Sequence, residues 1–125
     1  MTKYNNRNTQ LDGITFDSRK EAARYRELSL LQRAGRISDL RMQVRFELLP
    51  AQYGDSDQVY LKGPRKGQPK RRCIEKSVVY VADFVYTENG RSVVEDAKGM
   101  RTKDYVIKRK LFRWRFGDRY DFREV

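Results

Sequence analysis

The stretch from Val78 to Lys98 places the tightest constraint on how this 125-residue chain can fold. Its first nine residues are rich in Val, Tyr and Phe, which favours a β-strand from Val78 to Tyr86. Glu88-Asn89-Gly90 is typical of a hairpin turn, and Ser92 to Lys98 is predicted to form the return strand. The sequence therefore predicts a β-hairpin at the centre of the fold.

Three charged residues have a defined arrangement on this hairpin. Side chains alternate along a strand, so Asp96 and Lys98 are predicted to share a face. Pairing of the two strands can bring Asp83 close to Asp96. Mg²⁺ prefers oxygen ligands and commonly uses one or two carboxylates, to which the backbone carbonyl of Ala97 can add. The pattern fits a metal site for phosphodiester hydrolysis, in which Lys98 orients water or stabilises the phosphate. A surface salt bridge to Lys98 is the alternative.

The composition narrows the function classes. The chain has 28 Lys and Arg against 17 Asp and Glu, a net charge of +11, which is the electrostatic signature of a nucleic-acid binder. There is no His, which excludes imidazole catalysis, and Cys73 is the only cysteine. The sequence shows no long apolar run and no signal peptide, so we expect no membrane partner and a cytoplasmic protein.

The remaining segments predict a single domain over residues 1–125. Met1 to Gln10 is expected to be a flexible arm, and Ala51 to Arg72 a flexible basic loop. The predicted elements outside the hairpin are a helix from Ser18 to Ala34, a strand from Ile37 to Leu49, a helix from Thr102 or Lys103 to about Arg115, and a strand from Tyr120 to Val125. The predicted order is α-β-β-β-α-β, which indicates an α/β fold.

Glu21 has two interpretations. It follows Ser18 by three residues, which is the spacing of a capping box, in which Glu21 would bond back to the Ser18 backbone. Alternatively, Glu21 points at Asp83 and Asp96 as a third acid that holds metal directly or through water.

Two basic regions are candidates for contact with nucleic acid. Six cations lie in the predicted loop with no acid after Asp57. The second region includes the start of the second helix. The predicted DNA-binding residues are Lys66, Lys70, Arg71, Arg72, Arg101, Lys103, Lys108 and Arg109. A solvated surface is the alternative for both regions.

With this order of elements, the residues resemble the PD-(D/E)xK nuclease superfamily. The resemblance implies a restriction-endonuclease-like core, with a central mixed sheet flanked by helices. FDSRKEAARYREL and VADFVY…VVEDAKGMRTKDY resemble a phage-encoded family within it that is related to Holliday junction resolvases. The resemblance implies a Mg²⁺ site, in which Mn²⁺ can substitute, built from Asp83 and Asp96, with Glu21 as the helix-borne acid and Lys98 as the catalytic lysine. Ala82 stands where the name-giving proline would be. Strand alternation and the spacing to Lys98 select Asp96 over Glu95.

The resemblance implies a metal-dependent DNA endonuclease that acts on branched DNA as a homodimer, in the host-cell cytoplasm if the chain is phage-encoded. Three alternatives stay open. A non-catalytic DNA-binding accessory protein needs only the positive charge. A ribonuclease H-like fold would use several acids without Lys98. RNA is also a possible substrate, because contacts to the backbone alone discriminate poorly between DNA and RNA.

Overall fold

The computed structural model describes residues 9–97 and 101–125, within which the chain forms a mixed α+β fold. Both predicted helices and the central hairpin are present. The elements are β1 (Thr9–Leu11), β2 (Ile14–Phe16), α1 (Arg19–Arg33), β3 (Ser38–Leu49), β4 (Gln52–Val59), β5 (Pro69–Glu75), β6 (Val78–Glu88), β7 (Arg91–Asp96), α2 (Lys103–Phe116) and β8 (Asp121–Glu124).

The central sheet has four strands in the order β3-β6-β7-β8. β3, β6 and β7 pair antiparallel, whereas β8 returns after α2 to pair parallel with β7. The sheet is therefore mixed, as the family resemblance implied. At the hairpin turn, Asn89 and Gly90 have φ angles of 52° and 77°. These left-handed values are those of the two-residue turn that Asn-Gly favours.

The two helices cover opposite faces of this sheet. Val93 and Val94 are adjacent on β7, so their side chains point to opposite faces. Val93 packs in the cluster that contains Leu28 of α1, and Val94 packs in the cluster that contains Phe112 of α2. The core is thus two apolar layers with the sheet between them.

The side-chain alternation of β3 and β6 inverts at one position. Met42 and Phe84 are paired and belong to the α1 layer, whereas the next pair, Val44 and Ala82, belongs to the α2 layer. Residues two apart on a regular strand share a face, so both strands change faces between these pairs. Gln43 lies between them with a φ of 53°, a left-handed value that is uncommon for a residue other than glycine.

Two predictions for the connecting segments are wrong. Residues 51–72 are not a flexible loop, because most of them belong to an antiparallel hairpin of β4 and β5. The hairpin escaped prediction because nearly all its side chains are exposed, which removes the apolar alternation that reveals a strand. Thr9 and Gln10 are not part of a loose arm, since they pair with β2; residues 1–8 lie outside the described residues.

Candidate active site

Asp83 lies at the point where β6 changes faces, and it reaches the end of β7. Phe84 is paired with Glu95, so Asp83 stands opposite Asp96 in the same register. An Asp83 carboxylate oxygen, Oδ2, accepts a hydrogen bond of 2.8 Å from the backbone N–H of Ala97. Hairpin pairing thus brings Asp83 next to the Asp96-Ala97 segment, as the spacing in the sequence suggested.

Asp96 is fully buried on the α2 face of the sheet. The Tyr80 hydroxyl donates a hydrogen bond to Asp96 Oδ2. Burial, followed by the hydrogen bond and negative charge of Asp96 and the charge of Asp83, raises the pKa of Tyr80. Tyr80 therefore stays protonated at neutral pH and serves as a neutral donor that lies within the electrostatic reach of both aspartates.

Glu21 reaches the same region from α1. The Ser18 hydroxyl accepts a hydrogen bond of 3.1 Å from the Glu21 N–H, which is the N-cap interaction that the sequence predicted. Glu21 is only 6% exposed, and its carboxylate accepts a hydrogen bond of 2.8 Å from Gln43 Nε2. Because Gln43 stands opposite Asp83 in the register of β3 and β6, this bond brings the Glu21 carboxylate to the strand pair at the inversion point.

A pocket of about 220 Å³ opens beside this glutamate. Glu21, Gln43 and Asp17 supply its charged and amide groups, and Phe16 and Met42 are among its apolar walls. The carboxylate of Glu21 is therefore mostly buried but borders a cavity large enough to admit several water molecules.

Glu95 points away from Asp96, into the α1 layer. Arg24 donates two hydrogen bonds, of 2.7 and 2.6 Å, to the two carboxylate oxygens of Glu95, and the Tyr86 hydroxyl donates a third. The hydrogen bond to Glu95 is the main reason that the pKa of Arg24 is raised. Glu95 is therefore the anionic half of a buried ion pair that holds α1 on the sheet.

Glu124 lies next to Asp96 on the parallel strand β8. It accepts a hydrogen bond of 2.7 Å from the Tyr105 hydroxyl and forms ion pairs of 3.3 Å with both Arg101 and Arg109. Burial by itself would raise the pKa of Glu124, but Tyr105 and the two arginines together lower it. The start of α2 is thereby tied to the edge of the site.

The predicted DNA-binding residues occupy different environments. Lys66, Lys70, Arg72 and Lys103 are exposed, and Lys108 is half-buried. Arg71 forms an ion pair of 3.1 Å with Asp55. The side chain of Arg109 is only 17% exposed and forms an ion pair with Glu124, which joins α2 to β8. Arg101 keeps 61% of its side chain exposed while paired to the same glutamate.

Carboxylates suit a hard divalent cation, and Asp83 and Asp96 lie on neighbouring strands within electrostatic reach of the same residue, Tyr80. Ala97, the predicted carbonyl ligand, is buried. Within residues 9–97 and 101–125, no three acidic or thiol side chains lie close enough together to hold a metal ion. Lys98, the predicted catalytic lysine, lies outside the described residues.

A family model described as Protein of unknown function (DUF1064) matches residues 1–124 of the sequence. The chain belongs to the DUF1064 family. No curated protein and no solved structure matches it. In this DUF1064 chain, neither of the helices among the described residues is long and apolar enough to cross a lipid bilayer.

Sequence reasoning missed three residues that shape the site of this DUF1064 protein. Tyr80 gave a signal, since it lies three residues before Asp83 on a strand already predicted to border the site. Gln43 gave none, because its role depends on a left-handed φ in a strand that otherwise alternates regularly. Glu124 is placed beside Asp96 by the parallel pairing of β8, which alternation alone does not reveal.

Proposed function

We propose that this protein is a metal-dependent DNA endonuclease of the PD-(D/E)xK kind. The observation that carries the proposal is the hydrogen bond between the Asp83 carboxylate and the Ala97 N–H. This bond ties Asp83 of β6 to the residue that directly follows Asp96 on β7. A salt bridge on a protein surface would not require two buried or half-buried carboxylates at the same sheet edge.

Asp83 and Asp96 are the residues that would hold Mg²⁺ or Mn²⁺, and Glu21 would contribute directly or through a bound water molecule. When bound, such an ion lowers the pKa of its water and neutralises charge that develops on the phosphate. The Tyr80 hydroxyl fixes the orientation of the Asp96 carboxylate. Gln43 does the same for Glu21.

We propose that Lys98 positions the attacking water or stabilises the transition state. Lys98→Ala is then expected to leave DNA affinity nearly unchanged and to reduce cleavage by about 100-fold or more. Binding in EDTA and single-turnover cleavage in Mg²⁺ measure the two effects separately. Equal cleavage rates in the wild type and the variant would remove the lysine from the mechanism.

DNA is the proposed substrate because a net charge of +11 favours a polyanion. Branched DNA is the proposed structure on the resemblance to Holliday junction resolvases alone. Contacts to the phosphate backbone would make binding sensitive to salt and weakly dependent on sequence.

The deciding experiment compares cleavage of a labelled four-way junction with cleavage of a linear duplex of the same sequence. Each is incubated with Mg²⁺, Mn²⁺ or EDTA. The proteins are the wild type, Asp83→Asn, Asp96→Asn and Asp118→Asn, the last being a matched control because Asp118 is exposed after α2. We expect metal-dependent cutting by the wild type and by Asp118→Asn, and loss of cutting in the two site variants.

Retarded DNA without cutting in any metal would favour the non-catalytic accessory protein instead. In that case Asp83→Asn and Asp96→Asn should strengthen DNA binding, because each removes a negative charge that repels phosphate. If the duplex and the junction are cut at equal rates, the proposed nuclease activity stands and the proposed selectivity for branched DNA is wrong.

A further inference from the structure

The hairpin of β4 and β5 projects from the domain. We call residues 52–75 the β-arm. Its two strands pair with each other, and neither packs appreciably against any other described element. The β-arm leaves the sheet where β3 ends and β6 begins, so it extends the same pair of strands that carries Gln43 and Asp83. Because the β-arm contributes no residue to the core clusters, packing of the core does not explain why the chain forms it.

The two faces of the β-arm carry different charges. Asp55 is paired in register with Arg71, and the two form an ion pair of 3.1 Å on one face. The opposite face carries Arg72, paired with Gly54, and Ile74, whose side chain lies over Gly54. Arg72 is exposed, and its side chain has no ion pair within residues 9–97 and 101–125. One face thus carries an arginine paired with an aspartate, and the opposite face carries an arginine that makes no ion pair among the described residues.

The positive charge extends to the tip. From Gln58 to Ile74 the sequence contains six Lys and Arg and no Asp or Glu. Near the tip, the ring of Tyr60 lies 5.7 Å from Lys70 Nζ and 5.9 Å from Arg65 Cζ. These contacts place two of the six cations, Arg65 and Lys70, around one ring near the tip of the β-arm.

The dimensions of the β-arm match a groove of double-helical nucleic acid. Two paired strands lie about 4.8 Å apart, and a major groove of about 12 Å admits a two-stranded ribbon. Arg72 is eleven residues before Asp83, or at most about 36 Å along an extended strand, which is close to one turn of a DNA double helix. A duplex whose phosphate lies at Asp83 would therefore pass within reach of the ribbon.

We propose that the β-arm is a separate duplex-binding element, which enters a groove through its Arg72 face and holds the substrate on one side of the catalytic site. The proposal rests on the proposed function for its choice of DNA as partner. An anionic membrane is the competing partner, since Leu61 at the tip is 77% exposed. Because the β-arm contains no helix and carries six Lys and Arg between Gln58 and Ile74, the charge pattern favours DNA.

The test measures duplex affinity by fluorescence anisotropy in EDTA, on an Asp83→Asn background, over a range of salt concentrations. Arg72→Ala is compared with two variants that make the same change of residue and charge. Arg71→Ala probes the opposite face of the β-arm. Arg36→Ala probes an exposed arginine just before β3, at the far end of that strand from the β-arm.

Arg72→Ala is expected to weaken binding about tenfold at low salt, and the slope of log affinity against log salt should fall by about 0.9. Arg71→Ala and Arg36→Ala should each change affinity by less than about threefold. Equal losses in Arg72→Ala and Arg36→Ala would overturn the proposal, because net charge alone would then explain binding. Equal losses at Arg71 and Arg72 would overturn the assignment of the binding face.

A parallel measurement uses vesicles of phosphatidylserine and phosphatidylcholine. If Arg72→Ala abolishes binding to the vesicles and leaves the affinity for DNA unchanged, the partner of the β-arm is a membrane surface and not a duplex. None of these readouts depends on cleavage. A wild type that cuts no DNA in any metal would therefore end the proposed function and leave the result for the β-arm intact.

Discussion

Glu95 and Asp96 are neighbours in sequence and have separate roles in the structure. Asp96 faces α2 and accepts a hydrogen bond from Tyr80, whereas Glu95 faces α1 and is held by Arg24 and Tyr86. The spacing to Lys98 was sufficient to select Asp96 as the candidate metal ligand. The partner of Glu95 could not be predicted, because the contact with Arg24 depends on how α1 packs against the sheet.

The buried pair of Arg24 and Glu95 predicts a large effect on stability. Arg24→Met would leave the carboxylate of Glu95, which is fully buried, without its cation, at a cost of about 3 kcal/mol in the free energy of unfolding. Urea denaturation measures this loss. Arg33→Met, an exposed change on the same helix, is the matched control.

The double variant Arg24→Met, Glu95→Leu should recover much of that stability, because it removes the buried charge of Glu95 together with its partly buried partner. Folded Glu95→Gln should still cleave DNA. Loss of cleavage in folded Glu95→Gln would show that Glu95, and not only Asp96, belongs to the catalytic machinery.

Glu124 predicts a dependence of stability on pH. Its pKa is lowered in the folded state from an ordinary value of 4.5, so the ionised form is the one that folding favours. This contribution is fully present above pH 4.5 and is lost as the pH falls through the lower pKa of the folded state. Below pH 4.5, the melting temperature of Glu124→Gln should therefore fall less steeply than that of the wild type.

Glu47→Gln is the control, since Glu47 is exposed on β3. Thermal melts between pH 3 and pH 6 provide the comparison. Parallel curves for the wild type and Glu124→Gln would show that the contacts with Tyr105, Arg101 and Arg109 do not favour the ionised form.

At the scale of elements, local chemistry predicted most of the fold. Ser18 and Thr102 cap the two helices through their hydroxyls, and Asn89-Gly90 forms the turn of the central hairpin. These signals are short-range and can be recognised in sequence. β4 and β5 were missed because their order comes from backbone pairing and not from a buried face. The change of faces at Gln43 has no sequence pattern that we recognise.

The isolation of the β-arm predicts that the domain folds without it. Replacing residues 52–75 with a short Asn-Gly turn should change the melting temperature by no more than about 5 °C, because none of the residues in the core clusters belongs to the β-arm. Calorimetry of the wild type and the shortened protein tests this expectation. Loss of a cooperative transition would show that the β-arm supports the sheet.

At the scale of the whole molecule, the expected feature is assembly into a pair of identical chains. The resemblance to resolvases, which cut paired strands as two-fold dimers, leads us to expect a homodimer. Light scattering should then give twice the 14.9 kDa of one chain. A single-chain mass that stays unchanged when a four-way junction is added would count against paired cutting by two subunits.

The position of the only cysteine has a practical consequence. Cys73 is exposed on the β-arm, on the same face as Arg71 and opposite the face proposed to meet the duplex. A maleimide dye would therefore attach to the natural sequence at one place, next to the groove-binding surface without covering it. Energy transfer from that dye to an acceptor on the DNA duplex would give the distance between the β-arm and the duplex in single complexes. It would also give the rate at which the two come together. No cysteine needs to be introduced or removed.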